Sequence, residues 1–541
     1  MPLGILEDYK LEHVPGTSPL NALNSLDLDL DGVDASTLKH DKSGKIILVP
    51  QPSDSPNDPY NWPRWKKEMF TLAIAYGCGC VGAVGPLLTS AIVPLAESFD
   101  IPLQTFTLGL QGSCIAAIAL SSLLCNTLAV KIGRRPIYIA TSIGLMVTCF
   151  WAAEAKSFGS LAAARAIQGF CMAPMEALIP ASIADIWFVH ERGYRTAIFN
   201  LGVLGGINLA SPIAGSIIQY GSYKICLHAM GGAFALQVIM TVLFMPESAY
   251  SRVGVINIDT GEDGKAVIKE KIHDSTTEHH EPPAAVGSDE KPHSFLREML
   301  PYSGYYDPAS FWKTLLRPFM MLLSPMILWA TMQYTILVSW LVLISITLSQ
   351  IFSAPPYNFS IAAVGASNLS SFVASAIGTA VAGPLIDGVV KIMSRRNKGT
   401  FEPEFRLPVL VTALLFTATG FFAWGEALYR EKPWPVPVIV CLGLVNLGVQ
   451  LGTTGALTYI VDCHRQQAAE AFAAMNFAKN AFAFGLTFYA NDWIAVQGVR
   501  NCFFVLGGIT AGTVLLTVPM YIFGKRARSF TVRHKLINRF D

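Results

Sequence analysis

The stretch Asn126-Thr127-Leu128-Ala129-Val130-Lys131-Ile132-Gly133-Arg134-Arg135-Pro136 is a short basic turn between two apolar runs, at about 105–129 and 136–154. Each run has the roughly 20 apolar residues that a helix needs to cross the hydrocarbon of a bilayer. Two crossings joined by so few residues read as neighbouring antiparallel helices, because lipid leaves no place for open backbone. Gly133 permits the tight turn, and the arginines after it can bond a helix end or a neighbouring carboxylate.

Outward from this turn the same pattern repeats. Further runs of spanning length lie at about 70–94, 162–187, 197–219 and 227–245. A polar, proline-containing stretch then separates them from six more, at about 319–349, 362–386, 408–428, 435–461, 468–490 and 501–523. The expected architecture is an all-α membrane protein of twelve transmembrane helices in two pseudo-symmetric six-helix bundles. The boundaries are an N-terminal tail over 1–65, a first bundle over 66–250, a linker over 251–316, a second bundle over 317–524 and a C-terminal tail over 525–541. No helical apolar stripe runs through the linker, which reads as flexible.

Composition agrees. Of 541 residues 52 % are hydrophobic and 14 % charged, against about 25 % charged in ordinary soluble chains, and the mean hydropathy is +0.43. The missing surface charge implies that the partner of the outer surface is the lipid bilayer. A net charge of +1 argues against nucleic acid. The ten cysteines are scattered and form no CxxC pair, so they read as small apolar packing residues rather than a metal site or disulfide frame. Met1 to Ser53 is polar and has no signal-peptide pattern, which makes the first apolar run the expected insertion signal.

Lys and Arg in the loops set the orientation. Lys66 and Lys67, Lys131 with Arg134 and Arg135, Arg192 and Arg195, the run Lys391 to Arg406, and Lys525 with Arg526 and Arg528 all fall on one side if the spans alternate. Both termini and the linker are therefore expected in the cytoplasm of a multi-pass protein of the plasma membrane. The sequon Asn358-Phe359-Ser360 then falls outside, where Asn358 is a candidate for glycosylation.

A second turn, Gly383-Pro384-Leu385-Ile386-Asp387-Gly388 followed by a basic run to Arg396, occupies the matching place in the second half. Such a repeat is how many transporters are built. Here the residues resemble a family: the major facilitator superfamily, in its fungal branch of twelve-span drug:proton antiporters. The resemblance covers about 60–525. It rests on Asn57-Asp58-Pro59-Tyr60-Asn61-Trp62-Pro63, on the loop Asn126 to Arg135, on Arg165-Ala166-Ile167-Gln168-Gly169, on Ala184-Asp185 to Gly193 and on Pro246-Glu247-Ser248-Ala249-Tyr250. Glu402 to Leu407 resembles a sub-branch that also includes importers of polyamines and cations. The resemblance implies a proton-coupling role for Arg165 and a gating role for Lys131, Gly133, Arg134, Arg135 and Asp185. Val130 stands where the family loop has Asp, which implies a weakened latch in the first half, with Asp387 as its counterpart in the second. The fifth-span antiporter motif is only partly present, as Ser211-Pro212 to Gly215-Ser216.

Ionisable residues inside a span are costly and are functional candidates by default. Arg165, Gln168 and Glu176 share the fourth span. As a straight helix it would carry Arg165 and Glu176 to within about 20° of one face, toward a central cavity. There Glu176 is a candidate for binding a cation or exchanging a proton, against a buried structural pair. Asn476, Lys479 and Asn480 make one polar face of span eleven. Three roles compete for Lys479: repelling cations, pairing with a carboxylate, or binding an anionic group. A lysine satisfied by carbonyls or reaching for the interface is the structural alternative. Gln333, Tyr334 and Trp340 are candidates for the cavity wall, against simple packing. Asn208, Asn446 and Gln450 suit inter-helix hydrogen bonds better than ligand contacts. His279 and His280 lie in the linker, where a metal site is not expected.

There is no P-loop, no channel filter and no catalytic or metal-ligand constellation, so neither ATP-driven transport nor an enzyme is expected, and no cofactor. The expected function is secondary active transport: proton-coupled efflux of small organic compounds by a monomer, working by alternating access, with a small-molecule substrate and protons as partners. Import of polyamines or other organic cations is the alternative within the class. A non-transporting membrane sensor on the same fold is the alternative outside it.

Overall fold

Within hydrocarbon every backbone N–H and C=O must be satisfied inside its own segment, so apolar runs of this length become helices. The structure, a computed structural model, describes residues 3–11, 14, 16–19, 39, 52–250, 294–306, 310–463 and 468–534. Its main helical segments are α1 Arg64–Ser98, α2 Leu103–Ile132, α3 Arg135–Ala153, α4 Phe158–Ile186, α5 Val189–Tyr220 and α6 Tyr223–Phe244. The second half has α7 Pro325–Ser353, α8 Ile361–Arg396, α9 Pro403–Tyr429, α10 Val436–Cys463, α11 Ala468–Thr487 and α12 Ala490–Arg533. Among the described residues, eleven helices are long and apolar enough to cross a bilayer. The segment outside that set is α11, whose hydropathy is diluted by Glu470, Asn476, Lys479 and Asn480.

The halves repeat their packing. In the first half α1 packs on α5, α2 on α4 and α3 on α6; in the second α7 packs on α11, α8 on α10 and α9 on α12. The halves meet through α2 against α11 and α5 against α8. Small residues lie at the close approaches between helices. A Cβ at Gly202 would meet the Ala75 carbonyl at 2.8 Å, and one at Gly452 would meet Ala413 at 2.8 Å. Gly215 and Ser211, the remnant of the antiporter motif, lie against Ile361 and Gly365 where α5 crosses α8. Leu72, Val147, Ile213, Leu369, Ile377, Leu415 and Leu516 are exposed on the outside of the bundle, as hydrocarbon contact requires.

Several helices break at proline or glycine. The first helix of α1 ends at Gly85-Pro86. In α4 the helix Phe158–Met172 gives way to the turn Pro174–Ala177 and then to Ile179–Ile186, with Pro174 and Pro180 at the two breaks. Gly498, at φ +78°, interrupts α12.

The termini are more structured than the sequence suggests. The final helix Thr517–Arg533 runs past Gly524 into the stretch read as a tail. Ser18–Pro19 (β1) pairs antiparallel with Thr400–Phe401 (β2). The linker residues 294–306 lie against the α2–α3 turn, where Tyr306 N–H donates to the Lys131 carbonyl at 2.8 Å. Residues 251–293, with His279 and His280, fall outside the described residues.

Candidate functional site

Glu176 stands on the proline-led turn Pro174–Ala177 in the middle of α4. That turn is braced from α1 by the Cys78 thiol, 3.4 Å from the Met175 carbonyl. The Glu176 carboxylate forms an ion pair with Lys479 Nζ of α11, in the opposite half. Lys479 is held from behind: Ser339 Oγ on α7 donates to its carbonyl at 3.3 Å. Its side chain is 8 % exposed against 37 % for Glu176, so the carboxylate is the more exposed partner of the pair. The Tyr334 ring on α7 lies within electrostatic reach of both charges. Asn480, one residue on, is buried with its Nδ2 unpartnered, while Asn476 is half-buried on the same helix.

Arg165 is elsewhere. The straight-helix geometry expected for α4 is lost at Pro174, and Arg165 and Glu176 do not pair. The Arg165 guanidinium is fully buried. It donates to the Val84 and Gly85 carbonyls at 3.0 and 2.9 Å, to Gln168 Oε1 at 2.7 Å and to Gln111 Oε1 at 3.4 Å. The free carbonyls left by the break in α1 are its acceptors, so a charged group is seated on neutral dipoles. Gln168 completes the set by donating to the Cys149 sulfur at 3.0 Å.

The remaining candidates hold helices together or bond their own helix. Gln333 donates to the Thr513 carbonyl on α12, and Trp340 Nε1 donates to Thr510 Oγ1 at 3.0 Å. Both point into the core of the second half. Asn446 donates to Ser371 Oγ at 3.1 Å, joining α10 to α8. Asn208 donates to its own helix at Leu204, 3.1 Å away. Gln450 packs against Gly378, where a Cβ would meet it at 2.9 Å.

At the end of the bundle that carries the termini, two latches repeat between the halves. Arg134 pairs with Asp185. Gly133 has φ +91°, and a Cβ there would collide with Glu247. Glu247 accepts from the Arg134 and Arg135 backbone N–H groups, both at 3.0 Å, and so caps α3. Arg135 is buried and donates to the Leu300 and Met299 carbonyls at 2.9 Å. Lys131 Nζ donates to the Tyr305 hydroxyl at 3.0 Å. In the second half Arg406 pairs with Asp462. Asp387, read from the sequence as the counterpart, lies 3.8 Å from Arg406 with a side chain 78 % exposed. The signal for Asp462 was available: it ends α10 as Asp185 ends α4, six helices earlier.

At the opposite end the halves are joined by neutral groups that the sequence reading passed over. Gln104 Nε2 donates to the Thr487 carbonyl at 2.5 Å, and Gln104 Oε1 accepts from Asn491 N–H at 3.1 Å. Asn491 Nδ2 donates to Thr107 Oγ1 at 2.9 Å, and Ser349 Oγ to the Ser90 carbonyl at 3.2 Å. Asn358 is exposed at this end, between α7 and α8.

Known proteins share this architecture. Residues 72–487 match the Major Facilitator Superfamily. Protein HOL1 of Saccharomyces cerevisiae is 27 % identical, over 96 % of each chain. Multidrug transporter TPO1_2 of Candida glabrata is 24 % identical, over 86 % of this chain and 76 % of its own. A crystal structure of a D-xylose-proton symporter superposes with a TM-score of 0.58 at 14 % identity, over 85 % of this chain and 99 % of the symporter. With a matching profile over most of its length and that fold, the chain belongs to the Major Facilitator Superfamily and is a membrane transporter, not an enzyme.

Proposed function

We propose that this transporter is a proton-coupled secondary carrier that exports small organic compounds by rocking one six-helix half against the other. The observation that carries the reading is the Glu176–Lys479 pair, one charge from each half, with the carboxylate the more exposed of the two. A proton on Glu176, or a substrate bearing positive charge, competes with Lys479 for the same carboxylate. Either one releases the two halves from each other, which couples occupancy to movement. Arg165 holds the α1 break and the α4 helix in register beneath that site. Similarity to a multidrug transporter supports export.

The test is flux in intact cells with and without a protonophore. Loss of the outward substrate gradient on uncoupling supports the carrier as drawn. Efflux indifferent to the proton gradient removes the coupling, and no flux of any organic compound favours a sensor on the same fold.

A second reading, import of polyamines or other organic cations, is favoured by one feature: the more exposed member of the interface pair is an anion. Uptake of labelled cations driven by an inward proton gradient distinguishes it from export. The reading also sets the termini in the cytoplasm of a plasma-membrane protein. A glycosidase-sensitive mass shift abolished by Asn358→Gln supports that orientation, and glycan on a sequon introduced into residues 251–293 would reverse it.

A further inference from the structure

The base of the second half carries a cleft already filled by peptide. Residues 3–11 run along α12: the Tyr521 hydroxyl donates to the Leu3 carbonyl at 2.8 Å, Leu6 N–H donates to the Ile522 carbonyl at 2.9 Å, and Arg526 Nε donates to the Glu7 carbonyl at 3.2 Å. Ile5 is fully buried among Ile386, Val390, Phe401 and Phe405. Glu7 pairs with Lys525 at 2.8 Å, and Asp8 accepts from Ser529 Oγ.

Further along, Gly16 has φ +84°, and a Cβ there would meet the Pro403 ring at 2.9 Å and the Asp462 carbonyl at 3.1 Å. Thr17 Oγ1 donates to Glu402 Oε2 at 2.7 Å and accepts from Arg528 at 3.3 Å. The β1–β2 bridge closes the segment against Thr400 and Phe401. Beneath it lies a buried charge cluster in which Arg528 bridges Glu402 and Glu404 at 2.7 and 2.8 Å, and Lys525 reaches Glu402 at 2.8 Å.

Every one of these contacts is with the second half, and together they tie α8, β2, α10 and α12 into one body. That body contains the Arg406–Asp462 latch, since Gly16 rests on the Asp462 carbonyl. Rearranging the latch during a transport cycle moves the seat of Gly16 and Thr17. The described residues among 3–19 contain no helix, so the segment can leave its cleft without unfolding one.

We propose that the base of the second half is a docking cleft for an extended peptide with an apolar anchor, an acidic pair and a Gly-Thr step, and that the chain's own residues 3–11 and 16–19 occupy it as a releasable brake on transport. Release needs only a competing charge or partner: a carboxylate at position 17 would face Glu402 and Glu404 across a poorly hydrated cluster. The docking half of the proposal stands whatever the substrate; the brake rests on the carrier reading above.

The test uses the protein lacking residues 2–19, in nanodiscs, with a fluorescein-labelled synthetic peptide of residues 1–20. Saturable binding is expected by anisotropy. It should weaken at least tenfold with Ile5→Asp or Thr17→Glu in the peptide, and at least tenfold against the full-length protein, whose cleft is filled. In proteoliposomes the truncated protein and full-length Ile5→Asp should transport at least twofold faster than the parent at equal protein. The pair Asp8→Cys with Ser529→Cys, oxidised to a disulfide, should be slower than the parent and recover in reductant. A folded truncated protein that binds no peptide overturns the docking site. Peptide binding with unchanged flux in all three variants overturns the brake. Should the truncation not fold, full-length Ile5→Asp and the disulfide pair decide the brake, and identical flux with and without reductant refutes it. Absent flux in the parent refutes the carrier reading and leaves the docking result intact.

Discussion

Glu176 and Lys479 meet across the interface between the two halves, and they do so with unequal burial: the ammonium is enclosed by its own half while the carboxylate is open. The asymmetry means that water reaches the carboxylate more readily than the ammonium, which has nowhere to hydrate once its partner leaves; on the carrier reading proposed above, an unoccupied site favours the paired arrangement.

Removing either partner therefore has separable effects. Lys479→Met leaves a carboxylate that water can reach, and should lower stability by no more than about 1 kcal/mol. Glu176→Gln strands the buried ammonium and should cost about 1–3 kcal/mol, below the range for fully enclosed pairs because the carboxylate was partly hydrated. Both variants should lose most pH-dependent flux. Thermal unfolding in detergent beside flux at equal abundance checks this, and equal stability losses would contradict the asymmetry.

The neutral clasp at the end remote from the termini should set how often that side opens. Gln104→Ala removes two hydrogen bonds, each contributing about 1 kcal/mol, so the open population should rise by roughly tenfold or more. An added cysteine at Ser90, which is buried and joins the clasp only through its carbonyl, reports this by its labelling rate with an impermeant maleimide, because the ten native cysteines are buried. An unchanged labelling rate would remove Gln104 from the clasp.

The latches give a contrast within one site. Asp462→Asn breaks the close pair with Arg406, whereas Asp387→Asn alters a largely hydrated carboxylate. Flux should fall several-fold in the first variant and stay within about twofold in the second, as exposed pairs contribute little. The reverse order would restore Asp387 as the counterpart of the first-half latch.

The cluster at the base of the second half should be stable to mild acid. Burial pushes the Glu402 carboxyl up, but Arg528 and the hydrogen bonds from Lys525 and Thr17 outweigh burial and hold it below its ordinary value. The stability this gives is complete above the unfolded value and is lost only as pH falls through the lower folded value. The melting temperature of the parent should show no loss from this group between pH 8 and 6. Arg528→Met leaves Glu402 and Glu404 buried with Lys525 as their close cation, and should cost about 3–5 kcal/mol at neutral pH. Its stability should improve as pH is lowered toward the carboxylate range, and a variant that instead tracks the parent at every pH would contradict the assignment.

Much of the molecule was legible from local chemistry. Length and apolarity of the runs decide eleven crossings among the described residues, because hydrocarbon accepts only segments that satisfy their own backbone, and the more polar α11 is placed by its repeat position and packing. Gly133 could be read from type and position, since a tight turn is a short-range event, whereas the gating role of Arg134 and Asp185 was implied by the family resemblance and their pairing is a tertiary contact. The polar face of α11 was visible as Asn476, Lys479 and Asn480, as was the need for Glu176 to have a partner or a cavity. The partner itself was not. Glu176 and Lys479 are three hundred and three residues apart, and which of them faces the other depends on the break at Pro174 and on how the halves meet. The same holds for Arg165, whose Val84 and Gly85 acceptors are free because α1 breaks there, and for the N-terminal segment, whose polar composition reads as a tail until β2 and α12 supply its cleft. Apolarity and turn chemistry act along the chain and can be read there; pairing of the few buried charges is decided by which helices the packing brings side by side.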